Sequence, residues 1–296
     1  KRTSPTVSMS ETWTILRVLD WTRGFFESKG IESARLDAEL IISHVLNVQR
    51  VMLYAHFDRP LDPSELAHIR ELVKRRSKHE PVAYLLGNKE FWSLDFEVNK
   101  NVLIPRPDTE VLIEVCLELL KGSEAPRLAD VGTGSGCIAV ALAHELKNST
   151  VDAFEISAGA REVATRNISK NNVDDRVSIF ESDLLSGRRE NTQKYHLIAS
   201  NLPYIPSADV DTLSAEVKDH EPRQALDGGT DGLDLIRDLV TKAGKHLEPG
   251  GFLVLEAGFD QLNALENLLD AAGFGAIEVR KDYGGHPRVC SGTWPA

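Results

Sequence analysis

The chain has 296 residues, 42% of them hydrophobic and 27% charged, with a formal net charge of −11. That length suits one large α/β domain with a small companion, and no run approaches the roughly 18 apolar residues of a membrane span, so no membrane partner is expected. Three isolated cysteines, Cys116, Cys137 and Cys290, have no CxxC spacing, which argues against a zinc site or disulfide framework and suits a reducing, cytoplasmic compartment.

Residues 1–9 read as a tail or cloning remnant, with Met9 as the natural start and no apolar signal core. From Ser10 the apolar residues recur at three and four, as in Ile15, Leu16, Leu19, then Leu36, Leu40, Ile41, then Leu66, Ile69, Leu72, Val73. Breaks at Gly30, near Asn47 and at "DRPLDPSE" divide residues 10–87 into four or five short helices, one of them opened by Asp62 and Pro63. This bundle holds no nucleophile or phosphate loop and is expected to recognise a partner. Its basic run "KRRSKH" (74–79) reads as a solvated helix face, or alternatively a docking patch.

Residues 88–106, containing "KEFWSLDFEVNKNVLIP", alternate apolar and polar around Asn-Lys-Asn and predict a β-hairpin linking the two parts. Residues 107–296 then alternate helix and strand. Strands are expected near 127–131, 151–155, 177–181, 195–200 and 251–256, with helices near 136–147, 158–171, 231–247 and 259–272. The pattern implies a doubly wound, mostly parallel sheet. Two further strands joined through Gly284-Gly285 are expected as an antiparallel edge pair. Residues 1–80 hold 13 Lys+Arg against 11 Asp+Glu, and the remainder 21 against 34. The acidic larger part repels a phosphate backbone, so no direct nucleic-acid partner is expected.

"LADVGTGSGCIAVALA" (128–143) is a buried strand, a glycine turn and a helix. Glycines at 132, 134 and 136 let backbone pass close to a ligand at a helix N-terminus. Cys137 stands where a dinucleotide fingerprint wants its last glycine, which disfavours pyrophosphate. The next strand ends at Glu155, a carboxylate able to take both hydroxyls of a ribose, and the third at Asp183-Leu184. These segments resemble the class I S-adenosylmethionine-dependent methyltransferases, whose fold has a seven-stranded sheet. The resemblance implies S-adenosyl-L-methionine as cofactor and S-adenosyl-L-homocysteine as product. It further implies that Gly132, Thr133, Gly134, Ser135 and Gly136 line the methionine part, that Glu155 binds the ribose, and that Asp183 and Leu184 flank the adenine. The nine histidines show no paired ligand spacing, and no metal is expected.

The fourth strand runs into "NLPY" (201–204), which resembles the [ND]-x-P-[YF] motif of methyltransferases that modify planar nitrogens. An NH2 on an sp2 carbon is a poor nucleophile with two N–H donors to satisfy. The Asn201 side-chain oxygen can accept one and the Pro203 carbonyl the other, while Tyr204 packs on the planar group. Proline's fixed φ stiffens the turn. Asn201 is therefore a candidate on both the cofactor and the substrate side.

"KEFWSLDFEVNKNVLIPRPDTE" (89–110), "NLPYIP" and "HEPRQALDGGTDGLD" (220–234) are together similar to the HemK/PrmC family of protein-(glutamine-N5) methyltransferases. That resemblance implies methylation of the glutamine in the Gly-Gly-Gln loop of class 1 peptide-chain release factors by a monomer, with the helical domain gripping the partner. Catalysis falls to Asn201, Pro203 and Tyr204, with Leu202 and Arg106 also facing substrate. Arg106 lies in "IPRPDTE", which is expected to close over cofactor and substrate. The family usually reads NPPY where this chain has Leu202. NLPY also occurs in rRNA adenine-N6 methyltransferases, so an adenine-N6 activity on RNA or DNA is the alternative, and a non-enzymatic cofactor-binding scaffold the third reading.

Overall fold

The computed structural model describes residues 12–186 and 193–296; the expected tail at 1–9 lies outside them. The chain divides between Leu86 and Gly87 into two compact units.

The described residues of the first unit form five helices: α1 (Ile15–Ser28), α2 (Ala34–Leu46), α3 (Arg50–Ala55), α4 (Pro63–Arg76) and α5 (Val82–Leu86). Asp62 opens α4 as read from sequence, and Glu65 completes a capping box by accepting from the Asp62 N–H. The core joins Ile15, Phe26, Ile41, Ile42, Leu53, Ile69 and Leu72. Two expectations are corrected. Leu16 and Leu36 are exposed despite their helical spacing, because a helix face wider than its contact leaves its flanks in water. Arg76 is no solvated member of the basic run: it is buried and pairs with Asp37 at 2.7 Å.

The second unit begins with a hairpin, β1 (Asn88–Phe91) and β2 (Leu94–Glu97), followed by α6 (Glu110–Leu119). The hairpin turns at Trp92-Ser93, not at Asn-Lys-Asn. Both turn residues take left-handed φ, 53° and 56°, as two-residue hairpin turns require. Tertiary contacts hold a sequence that would not choose this turn: Glu110 accepts from the Trp92 N–H at 2.9 Å, and Glu145 from its indole at 2.9 Å. Phe91 and Phe96 are buried in the same cluster as Leu112 and Leu142, so the segment expected as a linker contributes to this unit's core.

Then follow β3 (Arg127–Val131), α7 (Cys137–Glu145), β4 (Thr150–Glu155), α8 (Ala158–Lys170), β5 (Val177–Glu181), β6 (Tyr195–Ser200), α9 (Ala215–Lys218), α10 (Asp234–Ala243), β7 (Leu247–Glu256), α11 (Leu262–Ala271), β8 (Gly275–Lys281) and β9 (Pro287–Thr293). The seven large-sheet strands run in the order β5-β4-β3-β6-β7-β9-β8. All neighbours are parallel except β9, which is antiparallel to both β7 and β8. Two buried clusters, around Leu112, Val140 and Val254 and around Ile198, Leu239 and Leu265, account for the apolar runs in these strands and helices.

The order reverses between β3 and β6, where ligands bind in open α/β sheets. Val131 and Ser200 are register partners there. The residues that follow them, Gly132 and Asn201, therefore leave the sheet side by side.

Candidate functional site

At that reversal lies a cavity of about 360 Å3, within the range of small-molecule sites. Its lining brings together Arg106, Gly132, Thr133, Gly134, Ser135, Glu155, Asp183, Leu184, Asn201, Leu202 and Pro203. Two expected residues do not line it. Gly136 lies behind the loop, capping α7 with φ 82° against Ala164. Tyr204 packs against the Ile198 cluster, and its phenol donates to Glu256 Oε1 at 3.4 Å. Burial pushes that phenol up to about 12, so it stays protonated at neutral pH.

The glycine wall is braced from beneath. Asp130 Oδ2 accepts from the Thr133 hydroxyl at 2.5 Å and from the Ala139 N–H at 3.1 Å, while burial raises its carboxyl to about 7. The Gly132 and Thr133 N–H groups both donate to the Phe154 carbonyl, at 2.8 and 3.0 Å. Gly132 has φ 74°, and a Cβ there would stand 2.8 Å from Leu202 Cδ2. A side chain there is strained by the backbone and must displace the end of Leu202. At Gly134 the nearest atom a Cβ would meet is 4.0 Å away, leaving the loop's inner side open to a ligand.

Glu155, the last residue of β4, turns its carboxylate back to this loop. Oε2 accepts from the Gly134 N–H at 3.0 Å and Oε1 from the Ser157 N–H at 2.8 Å. Each carboxylate oxygen has a second lone pair, so the group can still receive a diol. Leu184 is buried with a left-handed φ of 49°, an uncommon conformation for leucine that places an apolar surface on the cavity.

The opposite wall is assembled from distant segments. The Asn201 amide donates through Nδ2 to Thr109 Oγ1 at 3.1 Å, across 92 residues of sequence. Its Oδ1 is the acceptor left for a ligand. Arg106 pairs with Glu221, 115 residues away, and Glu221 Oε2 also accepts from the Ile104 N–H at 3.1 Å. Burial is the first cause raising the Glu221 carboxyl above the usual carboxylate range. The "LDGGTDG" segment supports the other side of the NLPY turn. Ile205 N–H donates to the Leu226 carbonyl at 3.1 Å and Gly228 N–H to the Ile205 carbonyl at 2.8 Å. A Cβ on Gly228 would lie 2.5 Å from the Pro203 carbonyl oxygen, so only glycine permits this approach.

Thr109, Glu221 and Gly228 were not singled out from sequence. Their own motifs, "IPRPDTE" and "HEPRQALDGG", were the only signal. Among the described residues no His, Cys, Asp or Glu group is arranged to hold a metal ion, and no helix is long and apolar enough to cross a membrane.

A family model described as the PrmC N-terminal domain matches residues 17–87, and one described as the methyltransferase small domain matches residues 108–219. A release factor glutamine methyltransferase of Geobacter sulfurreducens is 46% identical over 95% of this chain and 97% of its own length. One of Rhodopirellula baltica is 40% identical over 94% of this chain and 96% of its own. The crystal structure of a methyltransferase from Pyrococcus furiosus, 21% identical, shares the fold with a TM-score of 0.51 over 70% of this chain and 92% of that one.

Proposed function

The chain belongs to the release factor glutamine methyltransferase family, and we propose that it methylates the side-chain amide nitrogen (N5) of the glutamine in the Gly-Gly-Gln loop of a class 1 peptide-chain release factor. The observation that carries this reading is the commitment of Asn201 Nδ2 to Thr109. That bond leaves Oδ1 as the acceptor on the cavity wall beside the glycine loop, as an incoming NH2 requires.

The residues present fit S-adenosyl-L-methionine. The open inner side of Gly134, the Gly132 backbone that disfavours a side chain, and the Glu155 carboxylate with acceptor capacity to spare form a cradle for an amino acid and a ribose. Gly132 to Ser135 would hold the methionine part, Glu155 the ribose hydroxyls, and Asp183 and Leu184 the adenine. When bound, the cofactor supplies an activated methyl group on a sulfonium.

The protein's own task is positioning. Asn201 Oδ1 accepts one N–H of the substrate amide and the Pro203 carbonyl the other, aiming the nitrogen lone pair out of the amide plane. Arg106, fixed by Glu221, and Leu202 shape the entrance. No base need act first, because the proton can leave after transfer. Such alignment is worth up to about 7–11 kcal/mol in favourable cases. Tyr204, expected against the substrate plane, would instead support the turn from behind. The helical unit, which matches its own family model, would hold the release factor.

The test is mass spectrometry of a release factor incubated with the protein and S-adenosyl-L-methionine, with adenine-containing RNA and DNA as parallel substrates. A single methyl on the loop glutamine is expected. Methylation of adenine without glutamine would show that another planar nitrogen is the substrate.

A further inference from the structure

The NLPY turn is held at both ends. At its start Asn201 Nδ2 donates to Thr109 Oγ1 at 3.1 Å. At its end the amide of Gln261, the residue before α11, donates through Nε2 to the Tyr204 carbonyl at 2.8 Å. The same Nε2 donates to the Asp231 carbonyl at 3.1 Å, and Oε1 accepts from the Gly258 N–H at 2.9 Å. Gln261 is 9% exposed, and Leu262, Leu265 and Leu269 bury the helix behind it in the Ile198 cluster. The amide therefore reaches the turn from a fixed base, 57 residues along the chain.

Donor and acceptor chemistry decides how this amide lies. The two carbonyls can only accept and the Gly258 N–H can only donate, so NH2 faces Tyr204 and Asp231 while oxygen faces Gly258. Both amide hydrogens are spent on backbone oxygens of two segments, the turn after β6 and the loop before α10. A Cβ on Gly232 would strike both the Tyr204 carbonyl oxygen and Gln261 Nε2, so a side chain there would push the bond apart.

The bond ends beside the proposed chemistry. The Tyr204–Ile205 peptide is fixed at its oxygen by Gln261 and at its nitrogen by the Leu226 carbonyl, at 3.1 Å. The ring of Pro203 fixes its own φ. Between these anchors the Pro203–Tyr204 peptide is left to turn, and its carbonyl accepts no hydrogen bond among the described residues. Released from Gln261, the Tyr204 carbonyl could swing, and the Pro203 carbonyl with it.

We propose that Gln261 is a positioning residue for methyl transfer: by holding the Tyr204 carbonyl it sets the direction of the free Pro203 carbonyl. The catalytic consequence rests on the reading above, that the Pro203 carbonyl accepts a substrate N–H. Gln261 does not itself line the cavity, and it acts only through the turn.

Gln261→Glu and Gln261→Met in the full chain test this through two readouts. Glutamate has the shape of glutamine and keeps an oxygen for Gly258, but it sets an oxygen against both carbonyls. Methionine is of similar length and lacks all three bonds. The first readout is the NMR signal of the Ile205 backbone amide, whose peptide carries the Tyr204 carbonyl. Both substitutions are expected to shift it and to speed its exchange with solvent. This readout needs no activity. The second sets turnover on a release factor against S-adenosyl-L-methionine affinity by calorimetry. In Gln261→Glu kcat is expected to fall about 10- to 100-fold, the scale of a misplaced reacting group, and in Gln261→Met to fall less. Cofactor affinity and KM for S-adenosyl-L-methionine should hold in both, since the glycine wall has its own bonds.

An Ile205 signal unmoved in Gln261→Met overturns the clamp. A variant that moves the signal and leaves kcat unchanged overturns the positioning role. Equal losses in kcat and in cofactor affinity overturn it as well, because Gln261 would then hold up the fold without aiming the acceptor. If the unaltered protein methylates no glutamine, the functional reading fails while the Ile205 signal still decides the clamp.

Discussion

The two walls of the cavity are built on different principles. The glycine wall is held by near neighbours: Thr133 by Asp130 three residues back, Ala139 by the same carboxylate, and Gly134 by Glu155 from the adjoining strand. The facing wall is held by side chains 92 and 115 residues apart, Asn201 with Thr109 and Arg106 with Glu221. A wall made of its own backbone is fixed once its strands pair. A wall made of long-range side-chain contacts is correct only when the whole sheet is closed, and single substitutions can detach it without unfolding the rest. Changes in the first should thus appear in cofactor affinity, and changes in the second in turnover or in local stability.

The largest expected separation comes from Asn201→Ala. It removes the acceptor and the alignment of a poor nucleophile, so kcat should fall by at least about 100-fold. Cofactor affinity, measured by calorimetry, should change far less. Equal losses in both quantities would mean that the two walls are not functionally distinct.

Glu155→Ala should show the converse. A hydrogen bond to a charged group is worth about 1.5–3 kcal/mol, and S-adenosyl-L-methionine binding should weaken on that scale. The loss includes the support that the carboxylate gives the Gly134 and Ser157 N–H groups. Affinity unchanged by titration would remove Glu155 from the cofactor site.

Glu221→Ala tests the long-range wall without touching the proposed reacting groups. It strands the Ile104 N–H and releases Arg106. Arg106 is about one-third exposed and can turn into water, so the stability cost should be about 1–3 kcal/mol, that of an unsatisfied buried donor. Denaturant unfolding measures it. A cost well above this range would mean that Arg106 remains buried and unpaired.

The same contrast sets how much could be read from sequence. The strands, the glycine turn and Glu155 follow from periodicity and short spacing, and NLPY was visible because it follows a buried strand directly. The hairpin turn was misplaced because Asn-Lys-Asn is a strong local signal, whereas Trp92-Ser93 turns only with Glu110 and Glu145 holding the tryptophan. Arg76 reads as surface charge until α2 brings Asp37 beside it. Glu221 and Thr109 are marked only by the motifs around them, which do not name their partners a third of the chain away. Tyr204 shows what a motif leaves out: its spacing names the residue but not that its partly buried ring packs against the Ile198 cluster.

The smallest effect is expected where the chain departs from the usual family wording. Leu202 is 4% exposed and rests on Gly132; this contact joins the two walls directly. Leu202→Pro removes about one buried methylene, roughly 0.8 kcal/mol. A proline compatible with the local φ returns about 0.4–1 kcal/mol by restricting the unfolded chain. The two nearly cancel, and no polar contact is lost, so stability and turnover should both stay near those of the unaltered protein. Gly132→Ala, by contrast, should impair cofactor binding, and Leu202→Pro should not rescue it. Shortening the neighbour removes the 2.8 Å contact but not the cost of alanine at φ 74°. Rescue in the double variant, read as restored cofactor affinity, would show that the contact between the walls, and not the backbone of the glycine loop, demands glycine at this position.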